Sequence, residues 1–194
     1  TTYPACQAVK AAAEQGWEAC YRYLRVLREG LMFERRKLDH PEALLEAARP
    51  ARLDRRRFEI DLFSEATTEA FAADLDEVRN PPAEAREAGA VRRTEGQERI
   101  GFPSALFIGH GVWGTARSHP ALREAALAAG ARQVNEGALE PVEAIRRFRR
   151  CATRELEILC DRAGPVVEAE LWALARDWKL KPVVALTGTL WEPA

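Results

Sequence analysis

The stretch from residue 100 to residue 114 constrains the fold more than any other part of the chain. Residues 106–108 form a short apolar run bounded by glycines, which predicts a strand buried on both faces. Residues 112–113 predict a second short strand, and Gly109 and Gly111 supply the backbone freedom that a tight turn needs. The stretch therefore predicts a β-hairpin with a buried first strand.

Pro103 stands at the start of the first predicted strand, between Phe102 and Ser104. A proline is tolerated there because the missing N–H does least harm to the ladder. Only X–Pro bonds adopt the cis form at low cost, and a cis proline usually marks a tight turn. We therefore expect a cis Phe102–Pro103 bond. The alternative is a proline at a strand start with no functional role.

A helix is expected directly after the hairpin. Ser118 is its candidate N-cap, Pro120 lies in its first turn, and Gly130 ends it. This order of hairpin and helix, with a proline before the first strand, resembles the C-terminal half of a thioredoxin fold. The other interpretation is an ordinary β-hairpin packed on helices.

About five short helices are predicted before any strand. Pro4 opens the first, and Asp54 and Ser64 are the expected N-caps of the fourth and fifth. In the second helix, apolar residues that include Trp17 and Tyr21 stand at helical spacing, whereas Arg25 belongs to an expected solvated face. The predicted organisation has four parts: a helical domain over residues 1–82, a linker or surface loop over 83–98, a partial sheet with its helix over 99–134, and a C-terminal appendage over 139–194.

The appendage is predicted to contain a helix that starts at Pro141, a helix with Thr153 as its N-cap and a helix that starts at Pro165. A terminal β-hairpin is predicted over residues 183–191. Two helices followed by a hairpin form the second half of a winged-helix unit, so DNA binding is one hypothesis. The candidate recognition helix argues against it, because it carries three acidic residues and one arginine. The arginines at 146, 147, 149 and 150 are interpreted as a solvated face.

Composition excludes several classes of protein. A net charge of −1 gives no overall attraction to nucleic acid or to an anionic membrane. No apolar run approaches the roughly 18 residues that span a bilayer, so we predict a protein without a membrane segment. The four cysteines form no C-x-x-C pair, and the three histidines lie far from them in sequence, so no metal and no cofactor is expected. Sparse cysteines predict reduced thiols, hence a cytoplasmic location.

Several segments together resemble a known family. They are residues 3–12 with Gln15-Gly16 after them, residues 23–29, residues 53–58 with Asp61-Leu62, and residues 101–104. In this order they are similar to the DsbA-type thioredoxin family, in its bacterial FrnE-like and YjbH-like branch, over roughly residues 1–130. The resemblance implies a helix-rich α/β fold of thioredoxin-like type. In it, residues 1 to about 80 are the helical insertion, residues 99–130 are the last two strands and final helix, and Pro103 is the cis-proline beside the active site.

The resemblance also implies an activity, thiol–disulfide exchange on a protein or small-thiol substrate, as an oxidoreductase or isomerase. Phe102, Pro103 and Ser104 would then shape the substrate groove. In that family the first strand and the C-x-x-C helix precede the segment with which this chain begins. We therefore expect that βαβ part to lie upstream, or a second copy in a homodimer to cover the sheet, and the 194 residues alone to lack a catalytic thiol pair.

The alternative function is a non-catalytic adaptor on the same fold, which binds a client protein, as the resemblance to YjbH-like proteins allows. His110 and Trp113 would then join Phe102 as contact residues. Packing of Trp113 in the core is the competing interpretation of that residue.

Overall fold

The computed structural model describes residues 2–107, 109–115, 119–132 and 137–194. These residues form ten helices and seven strands. The helices are α1 (Tyr3–Ala13), α2 (Trp17–Met32), α3 (Pro41–Ala47), α4 (Arg55–Leu62), α5 (Glu65–Arg79), α6 (Ala83–Glu87), α7 (His119–Ala128), α8 (Pro141–Phe148), α9 (Thr153–Leu159) and α10 (Gly164–Arg176). The strands are β1 (Val91–Thr94), β2 (Gln97–Ile100), β3 (Ser104–Phe107), β4 (Val112–Thr115), β5 (Cys151–Ala152), β6 (Leu180–Ala185) and β7 (Gly188–Pro193).

The chain forms two compact units. Unit 1 combines Thr1–Leu62 with Glu136–Ala194, and unit 2 is Phe63–Asn135. The N-terminal helices and the C-terminal appendage therefore belong to the same unit. The predicted domain boundaries divide the chain differently, and they stay a prediction.

Helix starts in the N-terminal half follow the predicted capping residues. Pro4 occupies the first turn of α1, where its missing N–H leaves no bond unmade. The Asp54 carboxylate accepts the N–H of Arg57 at 3.0 Å, and the Ser64 hydroxyl accepts the N–H of Thr67 at 3.1 Å. The predictions of Asp54 and Ser64 as N-caps are confirmed, whereas the predicted N-cap of α7, Ser118, lies outside the described residues.

The core of the N-terminal helices is built around Tyr23 and Phe58, whose ring centroids are 4.9 Å apart. Both side chains are fully buried, and the Tyr23 hydroxyl donates to the carbonyl of Leu44 at 2.9 Å. Four alanines on one face of α1 are buried, which lets α1 and its neighbours pack closely: Ala5, Ala8, Ala11 and Ala12.

The inward face of α2 differs from the predicted one. Tyr23 and Leu27 are buried, whereas Trp17, Tyr21 and Leu24 are exposed. Helix α2 carries two apolar stripes, and only one can face the core. The Tyr23 stripe does so, since its ring packs on Phe58 and its hydroxyl finds a partner. The other stripe is left at the surface.

The C-terminal part of unit 1 is a small three-stranded antiparallel sheet with three helices. The strand order is β5-β7-β6, with Cys151 opposite Trp191 and Val183 opposite Leu190. The predicted terminal hairpin is thus present. Thr153 is the first residue of α9 and not its N-cap, which corrects the predicted capping. The winged-helix-like interpretation stays a prediction.

Trp191 is the centre of this second core. Its side chain is 0% exposed, and its indole meets Trp172 edge to face at a centroid distance of 5.0 Å. The indole N–H donates to the hydroxyl of Thr153 at 2.9 Å. One large side chain therefore ties strand β7 to helices α9 and α10.

A charged cluster joins the two parts of unit 1. Glu29 on α2 accepts from Arg25 at 2.6 Å and from Arg150 at 2.9 Å. Arg25 also binds Glu155 through both of its terminal nitrogens, and Arg150 reaches Glu192 on β7. The expected solvated face at Arg25 and Arg150 is therefore wrong, because both guanidinium groups are partly buried in this cluster.

Unit 2 contains α5, α6, α7 and two separate hairpins. Residues 83–98, predicted as a linker or surface loop, contain α6, β1 and the first half of β2, so that prediction of their secondary structure is wrong. The hairpin β1–β2 turns at Glu95 and Gly96, which both have positive φ angles. Six of the eight residues in its strands are polar or charged, so the strands lack the alternation of apolar residues by which strands are recognised.

The second hairpin pairs β3 with β4 in antiparallel register, with Leu106 opposite Trp113. The Phe102–Pro103 bond is cis, as predicted. A Cβ on Gly109 would lie 2.5 Å from the carbonyl oxygen of Ala129, so the turn needs glycine where it meets the end of α7. The prediction of a first strand buried on both faces is wrong, because Leu106 is exposed and its neighbours in β3 are only half-buried.

Among the described residues, no helix has both the length and the apolar character to cross a membrane.

Candidate functional site

The three residues predicted to form a substrate groove lie consecutively at the start of β3. Phe102 is 69% exposed, and Pro103 is exposed beside it. Ser104 is half-buried, and its hydroxyl donates to the carbonyl of Gly101. The segment therefore presents one large apolar side chain, that of Phe102, and a serine hydroxyl already engaged by the backbone. Its role in substrate binding stays a prediction.

His110 and Trp113 were the other predicted contact residues. His110 is exposed, and its ring lies against Gly130 just beyond the end of α7, where an added Cβ would be 3.3 Å from Nε2. Trp113 lies in β4 opposite Leu106, and its side chain is outside the part of the chain that the structure describes. Contact of these two residues with a partner stays a prediction.

Three of the four thiols, those of Cys20, Cys151 and Cys160, have pKa values raised by burial. Cys151 and Cys160 are buried, and both are free thiols, in agreement with the predicted reduced state. Burial raises the pKa of Cys151 to about 12, and burial also raises the pKa of Cys160 and of Cys20. Because the thiolate is the nucleophile, these three groups are poor nucleophiles at neutral pH.

We expect Cys6, which is exposed, to react with iodoacetamide at pH 7.5 well before Cys151 and Cys160. The buried pair should react at the rate at which unit 1 opens, and rapidly once urea unfolds it. Quenched time points analysed by peptide mass spectrometry measure each thiol separately. Fast alkylation of Cys151 in the native protein would contradict the burial described above.

A groove opens on unit 1 between α2 and the α8–α9 region, and we refer to it as the α2–α9 groove. Its volume is about 370 Å³. Its lining is largely apolar and comes from both parts of the unit: Tyr21, Arg25, Arg147, Phe148, Cys151, Glu155, Ile158 and Leu159. A cleft of this size is large enough to hold one or two side chains of a bound segment.

The exposed stripe of α2 continues this groove along the helix. Trp17 is 76% exposed, Tyr21 is 59% exposed, and Leu24 follows on the same helical face. Phe148 and Ile158 are exposed at the other side of the groove. Contiguous exposed apolar and aromatic side chains typically mark protein-binding sites, where tryptophan and tyrosine carry most of the binding energy.

Two of the three charged residues that line the groove, Arg25 and Glu155, neutralise each other. Burial raises the pKa of the Glu155 carboxyl, but hydrogen bonds from Arg25 and from the N–H of Ala152 outweigh burial and hold that pKa below its usual value. Glu155 and Arg25 are therefore an ion pair at neutral pH. At the rim, the guanidinium of Arg147 lies 5.5 Å from the ring centroid of Phe148. The groove suits an apolar side chain better than a charged one.

The groove presents mainly apolar and aromatic side chains. In the described ranges, no group of three or more His, Cys, Asp or Glu side chains could hold a metal ion. The sequence analysis predicts that the stripe with Trp17 and Tyr21 packs in the core. It therefore does not indicate a groove at the surface beside that stripe. The signal that could have found it is the second stripe, since Tyr23 and Leu27 alone supply a sufficient inward face.

Comparison with known proteins places the N-terminal part in a structural class. A family model described as Thioredoxin matches residues 1–80. Together with the helix-rich α/β structure, this match shows a thioredoxin-like domain. The finer assignment to the DsbA type stays a prediction.

The chain is similar to bacterial proteins named ClpXP adapter protein SpxH. The proteins from Bacillus licheniformis and Bacillus subtilis are each 26% identical to it over 192 residues, which is 98% of this chain and 60% of theirs. The protein from Halalkalibacterium halodurans is 35% identical over 75 residues, 39% of this chain and 24% of its own. The chain thus spans about 60% of the length of the first two relatives.

Proposed function

We propose that this protein is a non-catalytic adaptor that binds a client protein and delivers it to the ClpXP protease. The observation that carries the proposal is the similarity over 98% of the chain to proteins named ClpXP adapter protein SpxH. The thioredoxin-like body would serve as a binding scaffold, since a fold does not by itself define an activity.

The surface of unit 1 supports an adaptor. Trp17, Tyr21 and Leu24 expose an apolar face that the protein's own core does not use, and this face leads into the α2–α9 groove. We assign the groove to an apolar segment of the client, with one side chain held between Tyr21 and Phe148. The loop at Phe102 on unit 2 is a second proposed contact.

The oxidoreductase interpretation has less support. The relatives above are named as adaptors, and the buried thiols of this chain have pKa values above the usual range. Thiol–disulfide exchange needs a thiol whose pKa is lowered, next to a resolving thiol. Adaptor function requires neither.

A trapping experiment tests the proposal. ClpX is combined with a proteolytically inactive ClpP, ATP and a bacterial extract, with and without the purified protein. Quantitative mass spectrometry then identifies the proteins retained in the ClpP chamber. We expect a defined set of proteins whose retention depends on the added protein, and no acceleration of insulin disulfide reduction in a parallel assay.

Substituting the exposed aromatic residues should reduce delivery. With the double variant Trp17→Ser, Tyr21→Ser, we expect the amount of those proteins retained in the ClpP chamber to fall about 5- to 30-fold. This is the effect of losing about 1–2 kcal/mol of binding energy at hot-spot residues. The control is Trp178→Ser, since Trp178 is 87% exposed on the same unit and away from the groove lining. Equal delivery by both variants would exclude the α2 stripe, and the absence of any dependent protein would exclude the adaptor.

A further inference from the structure

A second surface of unit 1 carries a concentration of arginines that neither the core nor the α2–α9 groove uses. Residues 49–57 contain five arginines and one aspartate, a formal charge of +4 in a chain whose net charge is −1. All five arginines are exposed. Arg22 of α2 joins them, because its Nε donates to the carbonyl of Ala51 at 3.0 Å. We call Arg22, Arg49, Arg52, Arg55 and Arg56 the arginine platform.

Most of this positive charge is not compensated. Arg49, Arg52, Arg55 and Arg56 make no ion pair with any residue that the structure describes. Arg57 differs from them, since it lies near Asp61 at 3.6 Å and donates to the carbonyl of Glu14 at 2.7 Å. One arginine of the run thus has a structural role, and its neighbours direct their charge to the surface.

Three arginines of the platform stand at positions where the local backbone favours other residue types. Arg55 and Arg56 are the first two residues of α4, directly after the N-cap Asp54. The helix dipole makes this end positive and disfavours cations there. Arg52 adopts the left-handed conformation at φ 56°, which a glycine or asparagine takes more readily. Sequences that break local rules without gain in packing typically do so for function.

The platform is also held rigidly. The side-chain amide of Gln15 makes two hydrogen bonds to the backbone of Asp54, at 2.8 and 2.9 Å, which fix the start of α4 to the turn after α1. Asp54 in turn caps α4, so its carboxylate is engaged by the backbone N–H of Arg57. A fixed backbone lowers the entropic cost of binding an anionic ligand.

We propose that the arginine platform binds an acidic peptide segment of a partner protein. Guanidinium groups bind carboxylates in bidentate fashion, which suits a short run of Glu or Asp side chains. A long nucleic acid fits less well, because the rest of the chain carries a net negative charge and would repel a polyanion that extends beyond the platform. This proposal goes beyond the adaptor function and is tested without a protease.

The test measures binding of a fluorescein-labelled 12-residue peptide that alternates Glu with Gly or Ser, by fluorescence anisotropy at low salt. Its control is the same peptide with Gln for Glu. We expect the acidic peptide to bind and the neutral one not to bind. The double variant Arg55→Glu, Arg56→Glu should weaken binding by about tenfold or more, the effect of losing two charge-assisted contacts.

The matched control has the same change of charge at a different basic cluster of the unit, Arg146→Glu with Arg149→Glu. Both residues are exposed and form no ion pair in the described structure. Misfolding cannot explain the expected loss, because Glu at the first positions of α4 agrees with the helix dipole and should leave the urea midpoint unchanged or higher.

Three results would overturn the proposal. They are equal loss of binding in both double variants, which would mean unspecific attraction, equal binding of the neutral peptide, and tighter binding of a single-stranded polyuridylate than of the acidic peptide. The last outcome would assign the platform to nucleic acid.

Discussion

Replacing Trp191 by alanine is expected to lower the free energy of unfolding of unit 1 by about 3–5 kcal/mol. The side chain is 0% exposed, and its ring stacks edge to face on Trp172. Its removal leaves a large cavity between β7, α9 and α10 and leaves the hydroxyl of Thr153 without the indole N–H that it accepts. The cavity and the lost hydrogen bond both lower the free energy of unfolding.

Urea unfolding followed by far-ultraviolet circular dichroism measures this effect. Trp178→Ala is the matched control, since it removes the same atoms from a side chain that is 87% exposed. We expect the control to change the free energy of unfolding by less than about 0.5 kcal/mol. Equal effects of the two substitutions would show that Trp191 is not the centre of the C-terminal core.

The sequence was most informative where single residues determine local geometry. Pro4, Asp54 and Ser64 mark helix starts by chemistry that needs no tertiary contact, and the cis bond before Pro103 followed from its position in the chain. The terminal hairpin of β6 and β7 was also predicted from the sequence. These features depend on neighbours in sequence.

Features that depend on distant partners were not predictable in this way. Helix α2 has two apolar stripes, and periodicity does not say which of them meets Phe58. The half-buried position of Arg25 depends on Glu155, 130 residues away, which no local pattern reveals. Hairpin β1–β2 was not predicted because its largely polar strands show no apolar alternation, although the Glu95-Gly96 turn is a usable signal. The α2–α9 groove was not predictable either, because it forms only where α2 meets residues 147–159, which are far away in sequence.

The largest expected effect on the charged cluster comes from Glu29. Its carboxylate is only 9% exposed and holds two guanidinium groups, those of Arg25 and Arg150. Glu29→Gln removes the charge but keeps the volume, so a neutral amide replaces the carboxylate between the two guanidinium groups, while Arg25 keeps Glu155 and Arg150 keeps Glu192. We expect the free energy of unfolding to fall by about 2–3 kcal/mol, less than the 3–5 kcal/mol of fully buried pairs, because the arginines remain 29% and 33% exposed.

A double-mutant cycle distinguishes loss of the ion pair from a general loss of packing. Glu29→Met combined with Arg150→Met removes both charges, and apolar replacement of a whole pair is often nearly neutral. We expect a coupling energy of about 1–3 kcal/mol between the two positions in urea unfolding. Arg154→Gln is the control, because Arg154 is 78% exposed beside Glu157 and its loss should have almost no effect. Additive effects of the two methionine substitutions would mean that the Glu29–Arg150 pair does not stabilise the contact between α2 and the C-terminal part of unit 1. The charged cluster would then not be what holds the two walls of the α2–α9 groove together.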